Sequence, residues 1–177
     1  MDWFRARLRY DLADLATLPI RLTLERHLLK GLSKDKWFFI GCTMLYDLCR
    51  ASKPSVVVET GVADGFSSFF ILKALDENRK GNLYSIEKPD LRYLGGKESG
   101  WVVPQAYRHR WHLIIDSSEH ALPRILNELG KIDFFLHDSS HSYRNMLFEL
   151  RAAWKRLRRR VPDGRWRAGE HGIPALL

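Results

Sequence analysis

The sequence predicts an α/β fold built on a doubly wound, mostly parallel sheet, and three observations carry that prediction. Short runs rich in β-branched and aromatic residues alternate with segments of helical periodicity. Each run closes on an acid: Glu59, Glu87, Asp116 and Asp138. The first run, Val56, Val57 and Val58, passes through a turn bearing Gly61 and Gly65 straight into a helical segment. Strands joined by helical crossovers run parallel and wind right-handed. All four acids therefore belong at one edge of one sheet, where ligands of such folds bind.

Composition bounds the rest. With 177 residues, 45% of them hydrophobic and 28% charged, the chain suits one globular core. No apolar run nears the roughly 20 residues of a membrane span. The opening MDWFRARLRY has no continuous apolar stretch of the kind a secretory leader needs, so a cytoplasmic location is expected. Cys42 and Cys49 fall on one side of a helical segment, about 10 Å apart by helix rise and beyond disulfide reach, and read as reduced thiols. The net charge is +8, but residues 151–177 hold eight Lys/Arg against two acids and so carry +6 of it. The body is near balance, and nucleic acid is not an expected partner.

In chain order, residues 1–32 read as an N-terminal helical cap. Leu8, Leu12 and Leu15, then Ile20, Leu24 and Leu28, recur at partly helical spacing, with Pro19 dividing two helices. The core is assigned to residues 33–158. Ser33 caps a core-facing helix through Trp37, Ile40, Met44 and Leu48 to Ala51, ended by Lys53-Pro54. After the glycine turn, residues 66–75 form a second helix and residues 82–87 (NLYSIE) a second strand. Residues 88–109 form a long loop whose Tyr93, Trp101 and Tyr107 suggest a lid or substrate wall. Residues 111–115 are a third strand, 119–129 a helix with Pro123 in its first turn, 132–137 a fourth strand, and about 144–157 a last helix.

The chemistry of the turn narrows the ligand. An acid closing the second strand suits two hydrogen bonds to ribose hydroxyls, which fits a dinucleotide and S-adenosylmethionine equally. The turn Gly61-Val62-Ala63-Asp64-Gly65 departs from GxGxxG and carries Asp64 within it and Glu59 before it. Negative charge there repels a pyrophosphate and tolerates the amino and sulfonium groups of a methionine moiety. No Gly-Lys-Ser/Thr follows, which excludes a P-loop.

The segments ETGVADGFSSFFILKAL, LYSIE, GWVVPQAYRHRWHLIIDSS and IDFFLHDSSHSYRNMLFEL together resemble class I S-adenosylmethionine-dependent methyltransferases. The likeness covers about residues 35–158. It is greatest to the small-molecule and sugar O-methyltransferases that include relatives of macrocin O-methyltransferase. The resemblance implies a Rossmann-like core, a small hydroxylated acceptor, and a pocket for the methionine and ribose lined by Glu59, Gly61, Ala63, Gly65 and Ser67. It implies that Glu87 binds the ribose hydroxyls and that Asp116 and Ser117 approach the adenine, where relatives carry Gly-Asp. Asp138, beside the cofactor, matches an aspartate that binds Mg²⁺ in metal-dependent relatives, and His141 is the candidate base. Asp138 and His141 are thus the catalytic candidates. Methyl transfer needs a hydroxyl held in line with the sulfonium and made nucleophilic.

Relatives continue past the last helix with a Pro-Gly-Gly turn and a fifth strand ending in an acidic pair. Here the chain reads RRVPDGRWR instead. Residues 159–177 are accordingly expected to be a basic, irregular tail with the look of a truncated or frameshifted end, and the last strands are expected to be missing. An open sheet edge follows, which a second copy of the chain would cover. A rival reading follows too, of a truncated, non-catalytic protein that at most binds the cofactor.

Overall fold

The structure, a computed structural model, describes residues 36–89, 94–160 and 166–167 of the chain. The cap assigned to residues 1–32, the Ser33 cap and Tyr93 lie outside the described residues, as does most of the tail.

Four parallel strands, β1 (Val56–Thr60), β2 (Asn82–Glu87), β3 (Trp111–Ile115) and β4 (Phe134–His137), lie in the order β3-β2-β1-β4. Helices α1 (Lys36–Ser52) and α2 (Phe66–Glu77) cover one face, and α3 (Ser118–Leu129) and α4 (Tyr143–Trp154) the other. The two-residue pleat sorts the strand side chains between these layers. Val57 and Leu83 pack with Cys42, Tyr46, Phe70, Ile71 and Leu75. Val58 and Ile86 pack with Leu122, Leu126, Ile132 and Ala153. Burial on both faces is why the central strands read as unbroken apolar runs rather than alternating ones. Cys42 and Cys49 are both buried and unbridged, and burial pushes both thiols up to about 12, which makes them inert parts of the core.

The strand order reverses at β1. The chain leaves β1 for α2 on one face and leaves β4, beside it, for α4 on the other. That switch point opens a crevice at the carboxyl edge. Backbone hydrogen bonds carry the ladder beyond the strand ends: Gly61 N–H donates to Ile86 O (2.9 Å), Asp116 N–H to Glu87 O (2.9 Å) and Asp138 N–H to Thr60 O (2.7 Å). The four strand-end segments are thereby held level.

Four elements differ from the sequence reading. The last helix stops at Trp154 because Leu157 is drawn to the sheet, where it forms a single parallel bridge with Ile132. Ile132 consequently pairs outward, and β4 begins at Phe134. Asp133 locks this corner: Oδ2 accepts from Ser55 N–H (2.7 Å) and Val56 N–H (2.9 Å), and Oδ1 from Arg158 (2.8 Å). The long loop is not irregular throughout, since Gln105–Arg110 is a 3-10 helix. Within the tail, Arg159–Arg160 (β5) and Trp166–Arg167 (β6) form a two-residue antiparallel ladder apart from the main sheet. Among the described residues, β4 has β1 as its one strand neighbour apart from the Ile132–Leu157 bridge, so its outer edge is open. No helix of the described residues is long and apolar enough to cross a membrane.

Candidate active site

The turn after β1 is shaped by steric exclusion. Gly61 sits at φ 84, and a Cβ there would lie 2.1 Å from the carbonyl oxygen of Asp138. The backbones of the β1 and β4 ends thus meet at a distance only glycine permits. Gly65, at φ 95, caps α2 and lies against Gly100 in the same way. Ala63 between them also takes a positive φ, 50°.

Two of the sequence-derived acids hold this turn, from different sides. Glu59 is the penultimate residue of β1, so the pleat turns its carboxylate into the α1/α2 layer, where it is fully buried. It accepts from the hydroxyls of Ser67 (2.5 Å), Ser68 (2.6 Å) and Ser85 (2.7 Å), which ties the first turn of α2 to β1 and β2. Burial pushes the Glu59 carboxyl up, against those three hydroxyls. Glu59 and Ser67 therefore lie beneath the turn, not in its mouth. Glu87 is the last residue of β2 and reaches across the top. Its Oε2 accepts from Val62 N–H (2.8 Å) and Ala63 N–H (2.7 Å), and its Oε1 from Lys88 N–H (2.9 Å). With about four lone-pair sites on a carboxylate, Oε1 retains capacity for a ligand hydroxyl.

Beyond β3, Asp116 folds back on Ser117, its Oδ1 accepting from Ser117 N–H at 2.7 Å. Ser117 leads α3, but its hydroxyl makes no cap bond and is buried without any hydrogen-bond partner. Such an atom costs free energy unless a ligand or water meets it. Over the turn lies the stretch from Ser99 to Val103. Gly100 N–H donates to Ala63 O (2.8 Å), Val102 N–H to Asp64 O (3.2 Å), and Trp101 Nε1–H to the Asp64 carboxylate (2.5 Å). Lys97 Nζ stands 3.6 Å above the Trp101 ring. Arg108 staples the stretch from behind through the carbonyls of Gly100 (3.3 Å) and Val103 (3.2 Å). Trp101 is thus a wall of the turn, whereas Tyr107 packs on Phe69 and joins the core.

The β4 end supplies a second cluster. Asp138 and His141 face each other at 3.7 Å, both with well exposed side chains. Burial raises the Asp138 carboxyl, against the pull of His141 and His137. Beneath them, His137 Nδ1 lies 2.6 Å from Glu149 Oε2, and Glu149 also accepts from Thr60 (2.5 Å), Ser139 (2.7 Å) and Asn145 (2.9 Å). Burial alone would raise Glu149, yet the donors Ser118, Thr60, His137 and Ser139 outweigh it and hold the carboxyl below its ordinary value. Among the described residues no group of three or more His, Cys, Asp or Glu is placed to hold a metal ion. The described residues thus lend no support to the Mg²⁺ expected at Asp138.

The comparisons agree with this architecture. A family model described as a methyltransferase domain matches residues 58–162, more than half of the chain. The chain belongs to that methyltransferase family. Its fold is that of class I methyltransferases. The O-methyltransferase TomG of Streptomyces achromogenes, solved with SAM, superposes with a TM-score of 0.54 at 20% identity, over 67% of this chain and 51% of that one. An O-methyltransferase from Klebsiella pneumoniae, assigned as such without proof, gives 0.58 at 18% identity, over 85% and 67%. The O-methyltransferase of Bacillus cereus in complex with SAH gives 0.51 at 18%, over 89% and 62%. The chain thus spans between about half and two thirds of the length of these structures. No curated protein matches it.

The structure brings Gly61, Ala63, Gly65, Glu87 and Asp138 together around one turn, with Asp116 and Ser117 at the next strand end. Sequence reasoning gave no role to Thr60, Glu149, Ser139 or Asn145, nor to His137, which it placed at the end of the fourth strand and in the motif that follows. The one signal for Glu149 was an acid on the apolar face of a helix, eight residues beyond His141.

Proposed function

We propose that the chain binds S-adenosylmethionine across the carboxyl ends of its strands and transfers the methyl group to a hydroxyl of a small molecule. The acceptor class we favour is a sugar or polyketide, by the likeness to macrocin O-methyltransferase relatives. The observation that carries the reading is the cradle itself: a glycine turn clamped by Glu87, with the Ser117 hydroxyl buried and unpartnered at the next strand end. Glu87 Oε1 takes a ribose hydroxyl, and Ser117, with Asp116, meets the adenine. Gly61, Ala63 and Gly65 let the methionine moiety approach the main chain, while Glu59 and Ser67 hold the turn from below. The neighbours solved with SAM or SAH support this choice of ligand.

When bound, the cofactor supplies an electrophilic methyl carbon. The chain's own task is to hold the acceptor oxygen in line with it and to remove the hydroxyl proton. Asp138 and His141 border that side and give the proton a route to solvent. No step is routed through a metal.

Calorimetric titration with S-adenosylmethionine tests the reading. Saturable binding is expected, weakened at least about tenfold by Glu87→Ala, because a charge-assisted hydrogen bond and the clamp on the turn are lost together. No heat at millimolar ligand, with the chain shown to be folded, overturns it. Binding without methyl transfer to any hydroxylated acceptor would instead favour the non-catalytic rival.

A further inference from the structure

His137 is the one imidazole of the site whose orientation the fold imposes. Its side chain is 8% exposed, and its Nδ1 lies 2.6 Å from a carboxylate that is itself fully buried. Glu149 cannot swing away, because Thr60, Ser139 and Asn145 hold its two oxygens. An ionised carboxylate only accepts, so Nδ1 carries the hydrogen and Nε2 of the neutral ring is left with its lone pair. That Nε2 is buried and has no hydrogen-bond partner. The His141 ring packs edge-on against the His137 ring, with centroids 5.3 Å apart, beside Asp138. His141, by contrast, is 69% exposed and has only the 3.7 Å contact with Asp138 to orient it.

We propose that Nε2 of His137 receives the hydroxyl of the methyl acceptor and takes its proton, with Glu149 as the residue that positions the ring. The inference rests on the methyl-transfer reading above and deepens it. As the acceptor oxygen bonds to the methyl carbon, the carbon–sulfur bond breaks and its electron pair stays on sulfur, which loses its positive charge. The O–H electron pair stays on oxygen and the proton passes to Nε2. The resulting imidazolium faces the Glu149 carboxylate, and the exposed His141 beside Asp138 passes the proton to solvent. The groups facing His137 are Glu149 from α4, Thr60 from β1, and Asp138, Ser139 and His141 from the following loop.

Nitrogen NMR of the imidazoles in the full chain tests this without relying on turnover. With S-adenosylhomocysteine present, His137 is expected to show an Nδ1–H tautomer with an unprotonated Nε2. That Nε2 resonance should move when phenol, catechol or methyl glucoside is added as a hydroxyl probe. Glu149→Gln should mix the tautomers. His137→Gln, which also assigns the signal, should keep S-adenosylhomocysteine affinity within about twofold while methyl transfer to any probe that is turned over falls by about 10²-fold or more. An Nε2–H tautomer, or an Nε2 signal that no probe moves although S-adenosylhomocysteine binds, overturns the inference and leaves the methyl-transfer reading intact. A His137→Gln loss confined to cofactor affinity also overturns it. Absence of S-adenosylhomocysteine binding overturns both.

Discussion

Gly61 carries the tightest steric constraint of the site. An alanine there meets backbone on every near side, with Asp138 O at 2.1 Å, Asp138 C at 2.4 Å and Ser139 N at 2.7 Å, and no rotamer can relieve it. Added to the cost of a left-handed conformation, Gly61→Ala is expected to destabilise the fold by on the order of 2–4 kcal/mol. Urea unfolding should show the midpoint falling with little change in slope. An unshifted midpoint would mean that β1 and β4 can separate at their ends without loss. The same scale shows what was legible in the sequence and what was not. The acids at the strand ends could be read directly, because alternation of apolar runs with acids survives in one dimension. Where each carboxylate points could not, because it depends on how far along the ladder each acid lies: Glu59 pairs with Ser85 inside the sheet, and Glu87 stands two positions further on. Glu59 precedes the final residue of β1 and is turned under the sheet, whereas Glu87 ends β2 and reaches over the turn.

At the scale of elements, the stretch over the glycine turn is held, beyond its backbone bonds to Ala63 and Asp64, by the side chains of Trp101 on Asp64 and Arg108 on the carbonyls of Gly100 and Val103. Trp101→Phe keeps an aromatic face for Lys97 but removes the N–H that Asp64 accepts. The loss of one hydrogen bond to a charged group should weaken S-adenosylmethionine binding by roughly 1.5–3 kcal/mol at most, and hardly move the unfolding midpoint, because the indole is well exposed. Calorimetry and thermal melts on the same preparation separate the two effects. An unchanged affinity would show that Trp101 does not shape the pocket. Strands β2 and β3 were readable to the residue, since each is bounded by a breaker or an acid and both are short apolar runs. The end of α4 was not. Leu157 fits the helical spacing, but its partner Ile132 is reached only in the folded sheet, and the Asp133 clamp that fixes this corner joins residues far apart in the chain.

Across the whole molecule, each layer holds one fully buried carboxylate near the carboxyl edge of the sheet, Glu59 and Glu149, and the two respond to pH in opposite senses. Glu59 in the α1/α2 layer has its carboxyl raised above 4.5, chiefly by burial. Its contribution to stability is full below the unfolded value and is lost as pH rises through the folded one. Glu149 in the α3/α4 layer is lowered below 4.5, because donors from Ser118, Thr60, His137 and Ser139 outweigh burial. Its contribution is full above the unfolded value and is lost as pH falls through the folded one. Replacing each with glutamine removes the titration while keeping a side chain of similar size. For Glu59→Gln, the Tm of the wild type minus that of the variant is expected to fall as pH rises from about 4 towards neutral. For Glu149→Gln, the same difference is expected to grow over that range and to be largest at neutral pH. Difference curves of the same slope would show that one of the two carboxylates is not held as the structure places it. Opposite slopes would show that the floor beneath the turn favours a neutral acid while the wall beside His137 favours a charged one. That division suits a site in which a cationic imidazole forms on one side only.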